Sequence, residues 1–540
     1  MSELKPLVVS NYSFQYHTRD VPALKNLNFH VDPGEILLIA GSSGCGKTTI
    51  MRSINGLIPY SYRGEPQGEI QLFGKSVFEM SMVEISQLVG TVLQDPERQI
   101  VASFVFNEIA FGLENLGLPK EDIFERIESI MNYLKISHLS DRETFQLSGG
   151  EKQKVVLAGV LAMNPKILLL DEPLASLDPA SAEESLYVFR KLADDGISVV
   201  IVEHRVEDVL KIKPEKVLYM EDGEITYLGD SDGLLQVVDY SKIKLPAQVI
   251  IDRSKDSSKV YPIPSMIPSS TEKQPLITFE NVSFRYKNDL PDVLKNINFE
   301  INKHDVIAIL GHNGAGKTTL VKHALGLLKP TSGSVYLEGK DTKNVSVASC
   351  AHTIGYVFQS PSQMLFAPTV EEELSFGPKN IGQKKEEITK NVEWAITTVN
   401  LLSELKMPPL ALSFGQQKRV SIASILAMRS RVMMMDEPTA GQDYWNYQAF
   451  MDSIMEMQAF DALLFITHDV DLAVIYANRI LLLYDGRIIA DGSPYEVLGD
   501  EERLKQCRVL PTSLLRLNLE HHSRTNQFMR AEALARVLYP

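Results

Sequence analysis

The segment Gly41-Ser42-Ser43-Gly44-Cys45-Gly46-Lys47-Thr48-Thr49 follows an apolar run and opens a stretch with helical character. The spacing GxxxxGK[ST] lets a backbone curl until its N–H groups converge on one centre, and a helix N-terminus adds partial positive charge there. Such a loop cradles phosphate, with Lys47 placed to reach β- and γ-phosphates and Thr48 to ligate Mg²⁺. The pattern recurs as Gly311-His312-Asn313-Gly314-Ala315-Gly316-Lys317-Thr318-Thr319. Further on, two apolar runs end in Asp171-Glu172 and Asp436-Glu437. The aspartate of each pair can hold Mg²⁺ through water, and the glutamate can polarise an attacking water. Acid pairs after strands also serve as plain caps; downstream of a phosphate loop the catalytic reading prevails. Cys45 has two readings. It is a small side chain in the slot that Ala315 fills in the second loop, or a thiol made reactive at a helix N-terminus.

The recurrence is a duplication of whole domains. LLLDEP at Leu168–Pro173 returns as MMMDEP at Met433–Pro438, and LSGGEKQK at Leu147–Lys154 returns as LSFGQQKR at Leu412–Arg419. Lys317 follows Lys47 by 317 − 47 = 270 residues, Asp436 follows Asp171 by 436 − 171 = 265, and His468 follows His204 by 468 − 204 = 264. The offset drops after the phosphate loop, where NGLIPYSYRGEPQGEI is matched by the shorter LGLLKPTSGSV.

These residues need elements to hold them. In each half an alternating run, LVVSNYSFQY or LITFENVSFRY, reads as a strand. A second strand, GEILLIA or HDVIAIL, runs into the Gly-rich loop, and KTTIMRSI or KTTLVKHA begins a helix. Buried strands KILLLDE and RVMMMDE, then SVVIVEH and ALLFITH, complete the pattern. Apolar strands alternating with helices predict an α/β fold with a mainly parallel sheet covered on both faces. The expected organisation is a first domain over 1–240, a linker over 241–275, a second domain over 276–500 and a C-terminal extension over 501–540. Prolines 246, 262, 264, 268 and 275 argue against a regular element in the linker. The extension is expected to end in a helix over NQFMRAEALARVL.

Composition narrows the function classes. The 540 residues carry 54 Lys+Arg and 69 Asp+Glu, a net charge of −15. That balance argues against a protein living on a nucleic-acid backbone. The three cysteines, Cys45, Cys350 and Cys507, are dispersed, so neither a disulfide framework nor a zinc module is expected. The N-terminus lacks a basic region followed by a long apolar one, so no signal peptide is expected. No apolar stretch approaches the roughly 20 residues of a membrane-spanning helix.

The motifs resemble those of the ATP-binding cassette ATPases, over nearly the whole chain. LSGGE at Leu147–Glu151 and LSFGQ at Leu412–Gln416 are decisive, because few other phosphate-loop proteins carry them. The resemblance implies tandem P-loop NTPase cassettes, each with a parallel sheet core, an antiparallel β subdomain and a helical signature subdomain. It implies two ATP molecules with Mg²⁺, each between one half's phosphate loop and the other half's signature. Lys47 and Glu172 would then work with Ser413, Phe414, Gly415 and Gln416. Lys317 and Glu437 would work with Ser148, Gly149, Gly150 and Glu151. Tyr16 and Tyr286 match the adenine-stacking aromatic, and Gln94 and Gln359 the glutamine that touches Mg²⁺. Asp178 and Asp443 match the aspartate that communicates between halves, and His204 and His468 the γ-phosphate histidine. Phe414 stands where glycine is usual and Glu151 where glutamine is usual; both glutamates and both histidines are present, so the resemblance implies two hydrolytic sites, with asymmetry from Phe414 at the site of Lys47.

The segments LQDPERQIVASFVFNEIAFGLENLGLP and FQSPSQMLFAPTVEEELSFGPKNIG further resemble the fused ATPases of energy-coupling factor importers. That implies a peripheral protein at the cytoplasmic face of a bacterial-type cell membrane. Its partners would be an integral membrane coupling subunit and a small substrate-binding membrane subunit. The cargo would be a vitamin such as thiamine or hydroxymethylpyrimidine, or a metal ion. Two alternatives stand beside this reading: a tandem ATPase acting on ribosomes, and the ATPase of a sugar importer. The short, Pro-rich segment between the halves and the acidic charge weigh against the first, and FGLEN and FGPKN against the second.

Overall fold

A computed structural model describes residues 4–175, 177–255, 275–438, 444–457 and 459–539. Their contacts divide the chain chiefly between Leu245 and Pro246 into two compact units.

In the first unit the strands Leu24–Val31, Leu7–Tyr16, Gly64–Leu72 and Lys75–Ser76 lie in that order in an antiparallel sheet. A second sheet runs Glu224–Gly229, Lys216–Glu221, Ile36–Gly41, Ser198–Val202, Ile167–Asp171, Val89–Val92. Its pairings are parallel apart from the antiparallel edge pair 216–221 with 224–229. The second unit repeats both sheets. Its parallel strands are Ile354–Val357, Val432–Asp436, Ala462–Ile466, Val306–Leu310 and Arg479–Tyr484, and Arg487–Gly492 is the antiparallel edge. The uninterrupted apolar runs are explained by burial on both faces. Ile167, Leu168, Leu169 and Leu170 are all fully buried, each worth about 1.5–3 kcal/mol as an upper figure.

The phosphate-loop strand sits between its two parallel neighbours. Ser198–Val202 is on one side and Lys216–Glu221 on the other, so the chain reverses its winding direction there. Carboxyl ends of strands at such a switch point are where open α/β sheets bind ligands. Gly41, Asp171 and Val202 all end strands on that edge.

A helical segment completes each unit. Val105–Asn115 and Lys120–Tyr133 pack on Gly149–Ala162 in the first, and Val370–Asn380 and Lys385–Thr398 on Phe414–Met428 in the second. A Cβ on Gly112 or Gly377 would come within 2.7 Å of Met163 or Met428. The glycine of each FG pair thus lets its helix pack closely against a methionine of the signature helix or just past it.

The expectation of no regular element over 241–275 is corrected in its first part. Ala247–Ser254 is a helix, because Pro246 stands at its N-cap, where a missing N–H costs nothing, and no proline interrupts it. Ile250 and Ile251 are buried, and the helix packs on two C-terminal helices, Ser513–Thr525 and Ala531–Leu538. Residues 256–274, which hold prolines 262, 264 and 268, lie outside the described residues. The extension is also more helical than expected, with Glu501–Gln506 as well as the two helices just named.

Candidate functional site

The phosphate loops have the backbone that their glycines allow. Gly41, Gly44 and Gly46 have φ of 150°, 84° and 110°, and Gly311, Gly314 and Gly316 have 149°, 85° and 98°. A Cβ on Gly41 would lie 2.3 Å from the Met220 carbonyl oxygen. Lys47 Nζ donates to the carbonyls of Gly41 at 2.8 Å and Ser42 at 2.9 Å. Lys317 repeats this with Gly311 and His312 at the same distances. Both ammonium groups are buried within their loops. His312 Nδ1 lies 2.6 Å from the Asn313 carbonyl oxygen, and its ring meets Tyr484 edge-on.

Tyr16 and Tyr286 are tied to the helix that each loop opens. Their hydroxyls share a 3.1 Å hydrogen bond with Thr49 and Thr319 respectively, while Phe14 and Phe284 meet their rings edge-on. Tyr286 keeps half its surface exposed, which leaves it free to stack. Cys45 is buried and its thiol is pushed up by that burial, so the small-side-chain reading fits and the reactive-thiolate reading does not.

The catalytic candidates cluster. Glu172 and Glu437 have φ of 46° and 45°, in the left-handed region, which costs a non-glycine residue about 1–3 kcal/mol. Glu172 lies 3.0 Å from His204 Nε2 and accepts from Gln94 Nε2 at 2.6 Å. Glu437 lies 3.3 Å from His468 Nε2 and accepts from the His468 backbone N–H at 3.4 Å. Burial alone would raise Glu172, but the hydrogen bond and charge of His204, with Lys47, hold it below the usual carboxylate range. Burial wins at Glu437, with Asp436 adding to it, and raises that carboxyl. Gln359 is exposed just beyond the strand Ile354–Val357.

The donor set fits a hard cation. Thr318 Oγ1 donates to Asp436 Oδ2 at 2.9 Å, and Tyr356 OH donates to the same oxygen at 3.0 Å. In the first unit, burial and the neighbouring Glu172 push Asp171 up to about 6, an excess of negative charge that a cation relieves. Among the described residues no group of three or more His, Cys, Asp and Glu side chains forms a metal cage. A hydroxyl with one carboxylate, completed by phosphate and water, is how proteins hold Mg²⁺. Thr48 and Asp171, with Gln94, and Thr318 and Asp436, with Gln359, are the residues that would hold it.

The signature serines are helix caps. Ser148 N-caps Gly149–Ala162, and Glu151 Oε2 accepts from its N–H and hydroxyl, each at 2.8 Å. Ser413 and Gln416 form the same capping box with both bonds at 3.0 Å. Glu151 and Gln416 thus do the same local work. Gly150 and Gly415 sit in the first turns, and the side chain of Phe414 lies outside what is described. Asp178 N-caps Pro179–Asp194 through Ser181 at 2.9 Å. Asp443 lies outside the described residues.

The family description "ABC transporter" matches residues 24–175 and 294–440, more than half the chain. A relative from Bacillus cereus is 36% identical over 541 residues, covering 95% of both chains. Another from Clostridium perfringens is 35% identical with 94% of each covered, and one from Methanosarcina mazei is 34% identical with 94% and 92% covered. All three are provisionally named ABC transporter ATP-binding proteins. The chain belongs to the ABC transporter family. A solved structure of cbiO1 from Clostridium perfringens, described as part of the ABC transporter complex cbiONQ, is 35% identical. It covers 44% of this chain and 94% of that one, with a TM-score of 0.40.

As an ABC transporter ATP-binding chain, the protein is an ATPase coupled to transport, built from two cassettes. Among the described residues no helix is long and apolar enough to cross a membrane. The motifs did not point to several residues around the ABC sites. Glu203, buried beside His204, accepts from the backbone of Leu174, His204 and Arg205 at 2.9, 2.7 and 3.0 Å; its counterpart is Thr467. Lys418 is 3% exposed and donates to the Pro438 carbonyl at 2.6 Å. Burial pushes its ammonium down to about 7. The exchange of Gln153 in LSGGEKQK for Lys418 in LSFGQQKR was the signal that could have found it.

Proposed function

We propose that the chain is the motor of an energy-coupling factor importer, binding two Mg-ATP between its halves. Hydrolysis at Glu172 and Glu437 would drive uptake of a small nutrient, a vitamin such as thiamine or hydroxymethylpyrimidine, or a metal ion. In this reading Ser413 and Gly415 complete the site of Lys47, and Ser148, Gly149 and Gly150 complete that of Lys317. Mg²⁺ would neutralise charge on the phosphates. The side chains of this protein hold the phosphates and orient water, Glu172 or Glu437 accepting its proton with His204 or His468 alongside. ATP closes the halves by contacts made only in the closed state, and phosphate release removes them.

The observation that carries the importer reading is the segment after Gln94 and Gln359. In the first unit Glu108 Oε2 accepts from Val101 and Ala102 N–H at 2.9 and 2.7 Å. In the second, Glu373 accepts from Phe366 and Ala367, both at 2.8 Å. That pinning leaves apolar side chains outside: Val101, Phe104 and Phe111 in one unit, Phe366 and Phe376 in the other. Exposed apolar patches on a fixed backbone suit helices of a membrane partner. The protein would sit on the cytoplasmic face, held by an integral coupling subunit and a small substrate-binding subunit. The test is purification from membranes through a tag on this chain, with Phe111→Asp/Phe376→Asp as the comparison. Two polytopic partners should co-purify with the parent and be lost from the variant, while ATPase without partners is retained. Ribosomes recovered in place of membrane proteins refute the importer reading.

A further inference from the structure

The left-handed backbone at Glu172 and Glu437 persists only where neighbouring structure over-determines it. In both units one neighbour is the helix capped by the signature serine. Gln153, buried, donates its side-chain amide to the Pro173 carbonyl. Lys418 stands at the same place in the second unit, 418 − 153 = 265 residues on, matching the interval between the two signature serines. Its Nζ donates to the Pro438 carbonyl at 2.6 Å and reaches the Glu437 carbonyl at 3.5 Å. Two different side chains, an amide and an ammonium, thus cross from the same helix position to the same carbonyl. Packing alone does not require a donor there, since neighbours such as Val155, Val156, Val420 and Ile422 on these helices are buried and apolar.

We propose that Gln153 and Lys418 are positioning residues. Each ties the signature helix of its own unit to the peptide that follows the catalytic glutamate, and so holds that glutamate in the conformation that aims its carboxylate at the histidine. The proposal rests on the reading of Glu172 and Glu437 as the groups that polarise water. It adds a mechanical consequence. Ser148 and Ser413 cap the helices that carry these ties, so a shift of either serine moves a donor bonded beside the glutamate of the same unit. The tie is a side-chain amide in the first unit and a lysine amine in the second, an asymmetry independent of Phe414.

The test uses the full chain. Gln153→Met/Lys418→Met keeps approximate side-chain volume and removes both donors. We expect kcat for ATP to fall about tenfold or more while KM and ATP affinity stay within about threefold. Lys418→Gln, which restores in the second unit the donor used in the first, should keep kcat within about threefold of the parent. If the paired variant does not fold, Lys418→Met and Gln153→Met alone carry the same kcat-against-KM comparison. Parent-like kcat in the methionine variants overturns the proposal. So does a Lys418→Gln variant as impaired as Lys418→Met, or equal changes in KM and thermal stability with kcat untouched. Failure of the underlying reading looks different: Glu172→Gln/Glu437→Gln would then keep parental turnover.

Discussion

Replacing Arg530 with methionine removes a cation that fastens the C-terminal helices to the second unit. Arg530 is 4% exposed, and its guanidinium meets the Asp452 carboxylate at 2.6 and 3.2 Å and the Tyr476 hydroxyl at 3.3 Å. Burial would lower its pKa, but Asp452 outweighs this and raises it, so the group is charged at every pH where the protein folds. Methionine keeps most of the apolar stem, so the loss is electrostatic with little cavity. Breaking a buried pair from one side costs about 3–5 kcal/mol. Asp452 is 23% exposed and keeps a 2.7 Å bond from Tyr476, so the lower end applies, about 2–3 kcal/mol after discounting for solvent. For a unit of this size that is a fall in Tm of about 4–6 °C. Of the two tryptophans, Trp394 lies on the second unit's helix Lys385–Thr398, so in a Trp445→Phe background the fluorescence followed through a thermal or urea transition reports there. Arg530→Met/Asp452→Leu should recover at least half of the loss, because the penalty is an unpaired charge. A single-variant loss below about 0.5 kcal/mol, or a double variant worse than the sum of its singles, refutes the argument.

Two other outcomes are expected. Glu172→Gln and Glu437→Gln should each lower ATP turnover, and together by about a hundredfold or more, with ATP still bound; a steady-state ATPase assay and a nucleotide-binding titration check this. Cys45 should alkylate slowly at neutral pH. Its thiol is raised by burial, so the thiolate fraction is small at pH 7 and grows as pH climbs toward the raised value; mass spectrometry of the labelled chain against pH measures it, and fast labelling at pH 7 would contradict the burial argument.

Each sheet core could be read from the sequence because its strands are apolar without alternation, and only burial on both faces requires that. Both candidate sites could be proposed for a related reason: the loop glycines with Lys47 and Lys317 have few other uses at that spacing, and the two acid pairs follow them in register. The helix Ala247–Ser254 was hidden by proline counting. Pro246 lies just before it, where proline ends nothing, and the other four prolines lie beyond it. The backbone at Glu172 and Glu437 was also hidden, since no residue type announces a left-handed glutamate. Glu151 looked like a departure at a phosphate-facing position. In the structure it is a cap partner, a role that glutamate and glutamine fill equally well.

The two candidate centres share a plan and differ in the groups around it. Around Glu172 the buried extra groups are Glu203, which takes three backbone N–H donors, and the neutral Gln153. Around Glu437 they are the neutral Thr467 and Lys418, whose ammonium burial pushes down to about 7. The carboxyl at this place is nonetheless lowered in the first unit, where His204 and Lys47 outweigh burial, and raised in the second, where burial prevails over the opposing charges of Lys317 and Lys418. One duplicated gene product has thus kept a strained glutamate and its histidine twice while exchanging the charges that surround them. The buried residues at positions 153, 203, 418 and 467 are where the two centres differ, each pair standing at matching places in the two units.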